Sequence, residues 1–243
     1  MNRSRAFSLV ELLAAVAVIL FLLLLAVPAY RWALAAAQSA TCRSNLRQLA
    51  AAAIGYARDH GGEFPWAIDP SGNPWDFARS PQTGRIVPGP LWDYSADGAA
   101  RVLQCPAISA KLANWRGDPA TGYNYNSSFI GKVYGEAGAR TRPANAAVLS
   151  HPARTALFGD GQYSGGANKF MRAPLRDPAH DASGASLRRA GTQGFRHNRK
   201  TNVAFADGHV ESLSTPYTPG SDRPTFVSPP CAFLSPDNSL YAP

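Results

Sequence analysis

FSLVELLAAVAVILFLLLLAVPA, residues 7–29, decides the fold. From Leu12 to Ala29 every residue is apolar, Pro28 included. As a helix rising about 1.5 Å per residue, that run extends about 27 Å. Phe7 to Val10 lengthen it to match a bilayer core of about 30 Å. Before it lies MNRSRA, with Arg3 and Arg5, and after it a much larger region. The positive-inside rule keeps residues 1–6 in the cytoplasm and sends the bulk of the chain across the membrane. A cleaved secretory signal would have a shorter apolar core and a small-x-small cleavage site. Here the apolar run passes straight into a second helical pattern. A plain signal anchor accounts for the span but not for Glu11. A carboxylate inside an apolar span is costly and usually functional, and Glu11 stands one helical turn from Phe7.

Beyond Pro28 the chain reads AYRWALAAAQSATCRSNLRQLAAAAIGYARDHGG, residues 29–62. Apolar side chains recur at Cys42, Leu46, Leu49, Ala50, Ala53, Ile54 and Ala57. This is the stripe of an amphipathic helix with one face on a core. Arg43, Arg47 and Arg58 fall off the stripe, and Gly61-Gly62 ends it. Phe7 to His60 as one helix would be roughly 80 Å long. Pro28 is expected to kink it or open it locally.

The remainder has a different character. The chain holds 21 Gly and 20 Pro, and all but Gly55 and Pro28 lie after His60. That density excludes a helical bundle and favours short strands joined by long loops. Strand candidates are Arg101–Pro106, Tyr123–Asn126 and Thr155–Phe158. A meander is expected over 195–213: a strand at Phe195–His197, a turn around Arg199–Asn202, a strand at Val203–Ala206, a tight turn at Asp207-Gly208 and a strand at His209–Leu213. Residues 164–194 read as an extended loop, and 214–243, with seven Pro, as a tail. The expected class is α+β: a long amino-terminal helix, membrane-spanning then amphipathic, packed on a loop-rich antiparallel β head. The formal charge is +8, but no Lys/Arg block or basic-aromatic patch occurs, so no nucleic-acid partner is expected.

The run Ala6-Phe7-Ser8-Leu9-Val10-Glu11-Leu12-Leu13 resembles the cleavage and methylation motif of type IV prepilins and type II secretion pseudopilins. The resemblance implies a cut by prepilin peptidase between Ala6 and Phe7, where most members have Gly before the cut, and N-methylation of Phe7. It implies residues 1–6 as a cytoplasmic leader, 7–29 as the transmembrane and assembly helix, 30–60 as its amphipathic continuation, and 61–243 as a periplasmic head. It implies a single-pass bacterial inner-membrane protein and no enzyme. Its partners would be other pilin-like subunits, the peptidase and an inner-membrane assembly platform. In a stack of such helices, Glu11 of one subunit can neutralise the Phe7 amine of its neighbour. A second resemblance rests on His197, nine residues, then Asp207-Gly208. With Cys42-Arg43-Ser44-Asn45-Leu46-Arg47-Gln48-Leu49, Tyr56, Asp59, Gly61, Pro65 and Cys105-Pro106, it is similar to a prepilin-like family bearing an H-X9-DG signature.

Head residues offer further chemistry. TALFGDGQY and VAFADGHV echo each other, each a hydrophobic run ending in Asp-Gly. Asp160, His197, Asp207 and His209 are candidate ligands for one metal ion, with zinc favoured over calcium by the imidazoles. The structural alternative is that Asp-Gly makes hairpin turns and that the Asp and His side chains bind locally. Cys42, Cys105 and Cys231 allow one disulfide in an exported head, with pairing open, or buried free thiols. No hydrolase or nucleotide-binding motif is present. An anchored, non-polymerising ligand- or glycan-binding module is the first rival reading, with Trp66, Trp75, Trp92 and Trp115 as stacking surfaces. An anchored metallohydrolase is the second.

Overall fold

The computed structural model describes residues 8–80, 82–94, 104–108, 122–138, 140–164, 166–218 and 231–243. Ala6, Phe7, Trp115 and the first half of the strand candidate 101–106 lie outside them; Gln104–Ile108 form no strand.

Helix α1 runs from Leu9 to Asp59, 51 residues, about 77 Å. Ser8 caps it. The Ser8 hydroxyl accepts the Glu11 backbone N–H at 3.2 Å, and the Glu11 carboxylate accepts the Ser8 N–H at 2.9 Å. This reciprocal capping box satisfies two N–H groups that the first turn leaves over. At the other end Gly61 and Gly62 take φ of 64° and 90°, and the Gly62 N–H returns to the Ala57 carbonyl at 2.7 Å. Only glycine enters that left-handed turn without strain. Pro28 lies inside the helix without dividing it, so the span and its continuation form a single element.

The surroundings change along α1. Residues 8–34 are exposed throughout, including the large side chains from Leu9 to Leu25. From Cys42 one face is buried: Cys42, Asn45, Leu46, Leu49, Ala50, Ala52, Ala53 and Ala57. Arg43, Arg47 and Arg58 are exposed, as the stripe requires.

That face lies on a five-stranded sheet of order β5-β3-β4-β7-β8. The strands are β3 (Asn124–Asn126), β4 (Ala156–Gly159), β5 (Phe170–Met171), β7 (Thr201–Phe205) and β8 (Val210–Leu213). All neighbours are antiparallel except β3 and β5, which run parallel, so the sheet is mixed at that edge. Two small antiparallel pairs stand outside it: β1 (Phe77–Arg79) with β2 (Ile86–Pro88), and β6 (Gln193–Gly194) with β9 (Cys231–Ala232). Helix α1 packs across β4, β7 and β8. Its apolar face joins Trp75, Tyr125, Leu157, Phe158 and Ala204 in one core. A second core holds Phe129, Met171, Val203, Phe205, Phe233, Leu234 and Tyr241. Successive strand residues point to opposite faces. Ala204 therefore meets the helix core while Val203 and Phe205 meet the tail core.

Three expectations change. The stretch 164–194 is not only loop: it holds β5, α2 (Ala185–Ala190) and β6. The first meander strand is not Phe195–His197. The paired residues are Gln193 and Gly194, whose partner is β9 rather than β7. The end of the proline-rich tail is a core layer, because Phe233, Leu234 and Tyr241 are buried and Tyr241 accepts the Leu234 N–H at 2.8 Å through its hydroxyl. Proline content predicts turns, but it does not say whether the residues between them find a partner surface. Tyr241→Ala is expected to lower unfolding free energy by about 3–5 kcal/mol, measured by denaturant titration of the detergent-solubilised full chain. A loss below about 1 kcal/mol would show that the tail is peripheral.

Candidate functional site

A polar cluster sits between α1 and the sheet. Cys42 comes from the first buried turn of the helix, Cys105 from the segment Gln104–Ile108, Asp160 from the residue after β4, and His197 from the turn before β7. All four are buried, and their sulfur, nitrogen and oxygen ligand atoms lie within 4.8 Å of one another.

Local chemistry places each one. His197 and Lys200 form an antiparallel bridge around Asn198 and Arg199, whose φ values are 50° and 63°. Two left-handed central residues make a type I′ turn, which suits the twist of a hairpin. The turn therefore lies two residues earlier than the expected 199–202. It leads directly into β7 and leaves Arg196 and His197 beneath α1. Asp160 is fixed by Asn202 of β7, which donates its backbone N–H at 2.7 Å and its side-chain amide at 3.0 Å to Oδ2. Asn45 holds the Cys105 segment beside the helix, donating to the Tyr123 hydroxyl at 3.1 Å and the Gln104 carbonyl at 3.4 Å.

The Cys42 and Cys105 sulfurs are 2.9 Å apart. His197 Nε2 lies 3.7 Å from Cys105 Sγ and 3.3 Å from Asp160 Oδ2. The buried Arg196 guanidinium donates from Nε to Cys105 Sγ at 3.2 Å and lies 3.3 Å from Asp160 Oδ1. Burial alone would push the Cys105 thiol up. The hydrogen bond from Cys42, the Arg196 charge and His197 reverse this and hold Cys105 well below the ordinary thiol range. Cys42 moves the opposite way, raised first by its bond to Cys105 and then by burial. Burial would also lower His197, but Asp160 and Cys105 outweigh it and bring the imidazole to about 9. The site thus sets the Cys105 sulfur against the Arg196 guanidinium and the His197 imidazole, with the Asp160 carboxyl group touching both.

The arrangement is not that of a proton relay. In a Cys-His-Asp triad the acid binds one imidazole nitrogen and the thiol the other. Here both approach Nε2, and Nδ1 is buried without a partner among the described residues.

The four candidate metal ligands therefore separate into two pairs. Asp160 and His197 join the cysteines. Asp207 and His209 form a half-exposed pair of their own at the β7–β8 turn, 2.6 Å apart, with the His209 ring stacked on Phe205. The reason is strand length. His197 and Asp207 stand at opposite ends of β7, whose five residues span about 17 Å. Gly208, at φ 93°, completes the second turn. Nine intervening residues measure a turn, a strand and the start of a turn. Cys231 lies elsewhere, buried on β9, where burial raises its thiol to about 11.

Periodicity missed Asn45 because a polar residue interrupts an apolar stripe. It missed Arg196 because nothing in a charge count separates a buried guanidinium from a surface one. Of the candidate stacking tryptophans, Trp75 is buried and donates to the Lys169 carbonyl at 2.9 Å, while Trp66 and Trp92 are half-buried. Asp160→Asn should cost about 3–5 kcal/mol by stranding Arg196, whereas Asp207→Asn should stay within about 1 kcal/mol. Paired denaturant titrations test the contrast, and equal losses would contradict it.

No curated protein and no solved structure matches the chain. Residues 1–27 match the family described as the prokaryotic N-terminal methylation motif; the match ends before the head and does not reach His197 or Asp207. The amino-terminal segment is thus similar to that motif, and it opens a helix long and apolar enough to cross a membrane.

Proposed function

We propose that this chain is a structural subunit of a type IV pilus or type II secretion pseudopilus. In this reading it is cut by prepilin peptidase between Ala6 and Phe7, methylated at Phe7, and polymerised through α1 with its head in the periplasm. The reading rests above all on one observation: a methylation motif over residues 1–27 opens a helix that is apolar over 12–29, exposed over 8–34 and buried in a folded head from Cys42. The same helix serves lipid, neighbouring subunits and its own head. A backbone that satisfies its own hydrogen bonds can move between these surroundings without refolding.

Glu11 suits both the monomer and the fibre. Its two bonds to Ser8 use Oε2, and Oε1 has no partner among the described residues. The cap therefore leaves one oxygen to receive the Phe7 ammonium of a neighbour. In low dielectric that pairing is strong, while either charge alone is costly. It selects the register in which helices leave the bilayer, and packing of apolar side chains supplies the remainder. No catalytic turnover is assigned. A cavity of about 340 Å³ in the head, lined by Ile68, Val133, Tyr163 and Leu187, is what a monomeric ligand-binding module would use. Its wall residues Arg172 and Glu136 already bind each other.

Mass analysis of protein from native membranes should find Phe7 as a methylated first residue; an intact Met1 overturns the reading. Glu11→Val should insert normally yet assemble at least about ten-fold less, equivalent to ~1.4 kcal/mol per junction. Unchanged fibre yield would remove the charge pair. A carboxy-terminal alkaline phosphatase fusion should be active, and an inactive fusion would place the head in the cytoplasm.

A further inference from the structure

We propose that Cys42 and Cys105 form a disulfide that clips the shaft helix to the head, and that Arg196, His197 and Asp160 are the built-in activator of its formation. The proposal rests on the exported head for its oxidant, while its geometry stands independently.

Three observations carry it. First, the two sulfurs lie 2.9 Å apart, inside ordinary non-bonded contact, on segments 63 residues apart. Closing to a disulfide at about 2.05 Å needs a movement of under about 1 Å. Second, the partners are held independently of the sulfurs. Asn45 donates to Gln104 and Tyr123, and Gln38 donates to the Pro106 carbonyl at 3.3 Å, so the helix grips the Cys105 segment on both sides of the cysteine. Third, the charges around Cys105 suit a thiolate. The Arg196 Nε–H points at its sulfur, His197 Nε2 lies 3.7 Å from it, and Asp160 holds both.

The same four ligand atoms have zinc chemistry, but the details fit that ion less well. Two thiolates on tetrahedral zinc, each about 2.3 Å from it, sit about 3.8 Å apart. The sulfurs here are closer. A metal-bound imidazole normally donates its other nitrogen to a fixed acceptor, and His197 Nδ1 has none among the described residues. A guanidinium already occupies the side of Cys105 and Asp160 that a cation would approach.

The step balances as thiol–disulfide exchange with a protein or small-molecule disulfide in the export compartment. The Cys105 thiolate attacks one oxidant sulfur and expels the other as a thiolate. Cys42 then loses its proton and attacks Cys105 in the mixed disulfide, expelling the second oxidant sulfur. Two electrons pass to the oxidant, whose sulfurs leave as one thiolate and one thiol. The Arg196 Nε–H and the His197 ring against Cys105 Sγ favour the thiolate that makes the first attack. Both sulfurs are buried, so exchange accompanies the docking of α1 on the head, when Arg196 and His197 already lie beside Cys105 and the oxidant can still reach it. Afterwards the bond is shielded from reductant.

Differential alkylation tests this on the full chain. Protein isolated from membranes is denatured without reductant and blocked, then reduced and labelled with a second reagent. Cys42 and Cys105 should both carry the second label, and Cys231 the first. The oxidised chain should melt about 10 °C above the Cys42→Ser variant. Blocked Cys42 and Cys105 in an exported head overturn the proposal, and one equivalent of zinc in that same preparation assigns the cluster to metal instead. If the phosphatase fusion shows a cytoplasmic head, the export reading fails. The pairing is then judged on purified chain refolded in glutathione redox buffer. A Cys42–Cys105 linked peptide sustains it; glutathione adducts or a Cys231 bridge overturn it.

Discussion

The contact between one face of α1 and the strands β4, β7 and β8 is the constraint on which the rest of the structure depends. Leu46, Leu49, Ala50, Ala53 and Ala57 bury against Leu157, Phe158 and Ala204. Among the described residues the head has short strands, the longest of five residues, and many loops. A sheet of such strands needs a long rigid element across it, because each strand alone contributes few ladder bonds. The helix supplies that element, and the same rigidity carries the head's position to the exposed apolar half. A change at Cys42 or Leu46 therefore acts on both regions, although neither residue lies in the exposed apolar half.

The central strand takes its place from turns at both of its ends. Asn198 and Arg199 supply left-handed backbone on one side, and Gly208 supplies it on the other. Between them β7 is buried on both faces, with the helix core against Ala204 and the tail core against Val203 and Phe205. Asp207 accepts the His209 N–H at 3.1 Å, which is local turn chemistry. At the other end His197 faces inward to Asp160. The spacing from His197 to Asp207 thus records the length of the strand and not the span of a binding site. A ligand set read from that spacing divides in two once the strand is extended.

Some of this was legible in residue order and some was not, for physical reasons. The helix, its stop at Gly61-Gly62, its buried stripe and the Asp207-Gly208 turn depend on periods and dihedral preferences that act over a few residues. Ser8 and Glu11 also form a local S-x-x-E capping signature, whose two hydrogen bonds act over three residues. The grouping of Cys42, Cys105, Asp160 and His197 depends on which strands become neighbours, and no local period encodes that. Asp160 and Asp207 stand in similar sequence contexts, yet one is buried beside Arg196 and the other is half-exposed. The difference arises from position: β4 ends under the helix, whereas the β7–β8 turn reaches the rim. The same holds for the tail: Phe233 and Tyr241 are apolar residues near prolines, and the face of β7 that carries Val203 and Phe205 gives them their partner.

The placement of a charged cluster inside an otherwise apolar contact has its own logic. The buried face of α1 is rich in alanine: Ala50, Ala52, Ala53 and Ala57. Small side chains allow close approach to the sheet, but they discriminate weakly between registers: displacement by one helical turn brings Ala53 to the place of Ala50, or Ala57 to that of Ala53. Dispersion and area burial are non-directional. Hydrogen bonds are directional, and a buried donor without its acceptor carries a penalty of about 1–3 kcal/mol. Asn45 toward Tyr123 and Gln104, Ser39 toward Asn202 at 3.4 Å, and Cys42 against Cys105 all occur at one register of the helix. A slip would strand these groups together with the Arg196 and Asp160 charges beneath them. The apolar face supplies the attraction, and the polar cluster makes a single alignment of shaft and head far lower in energy than its neighbours.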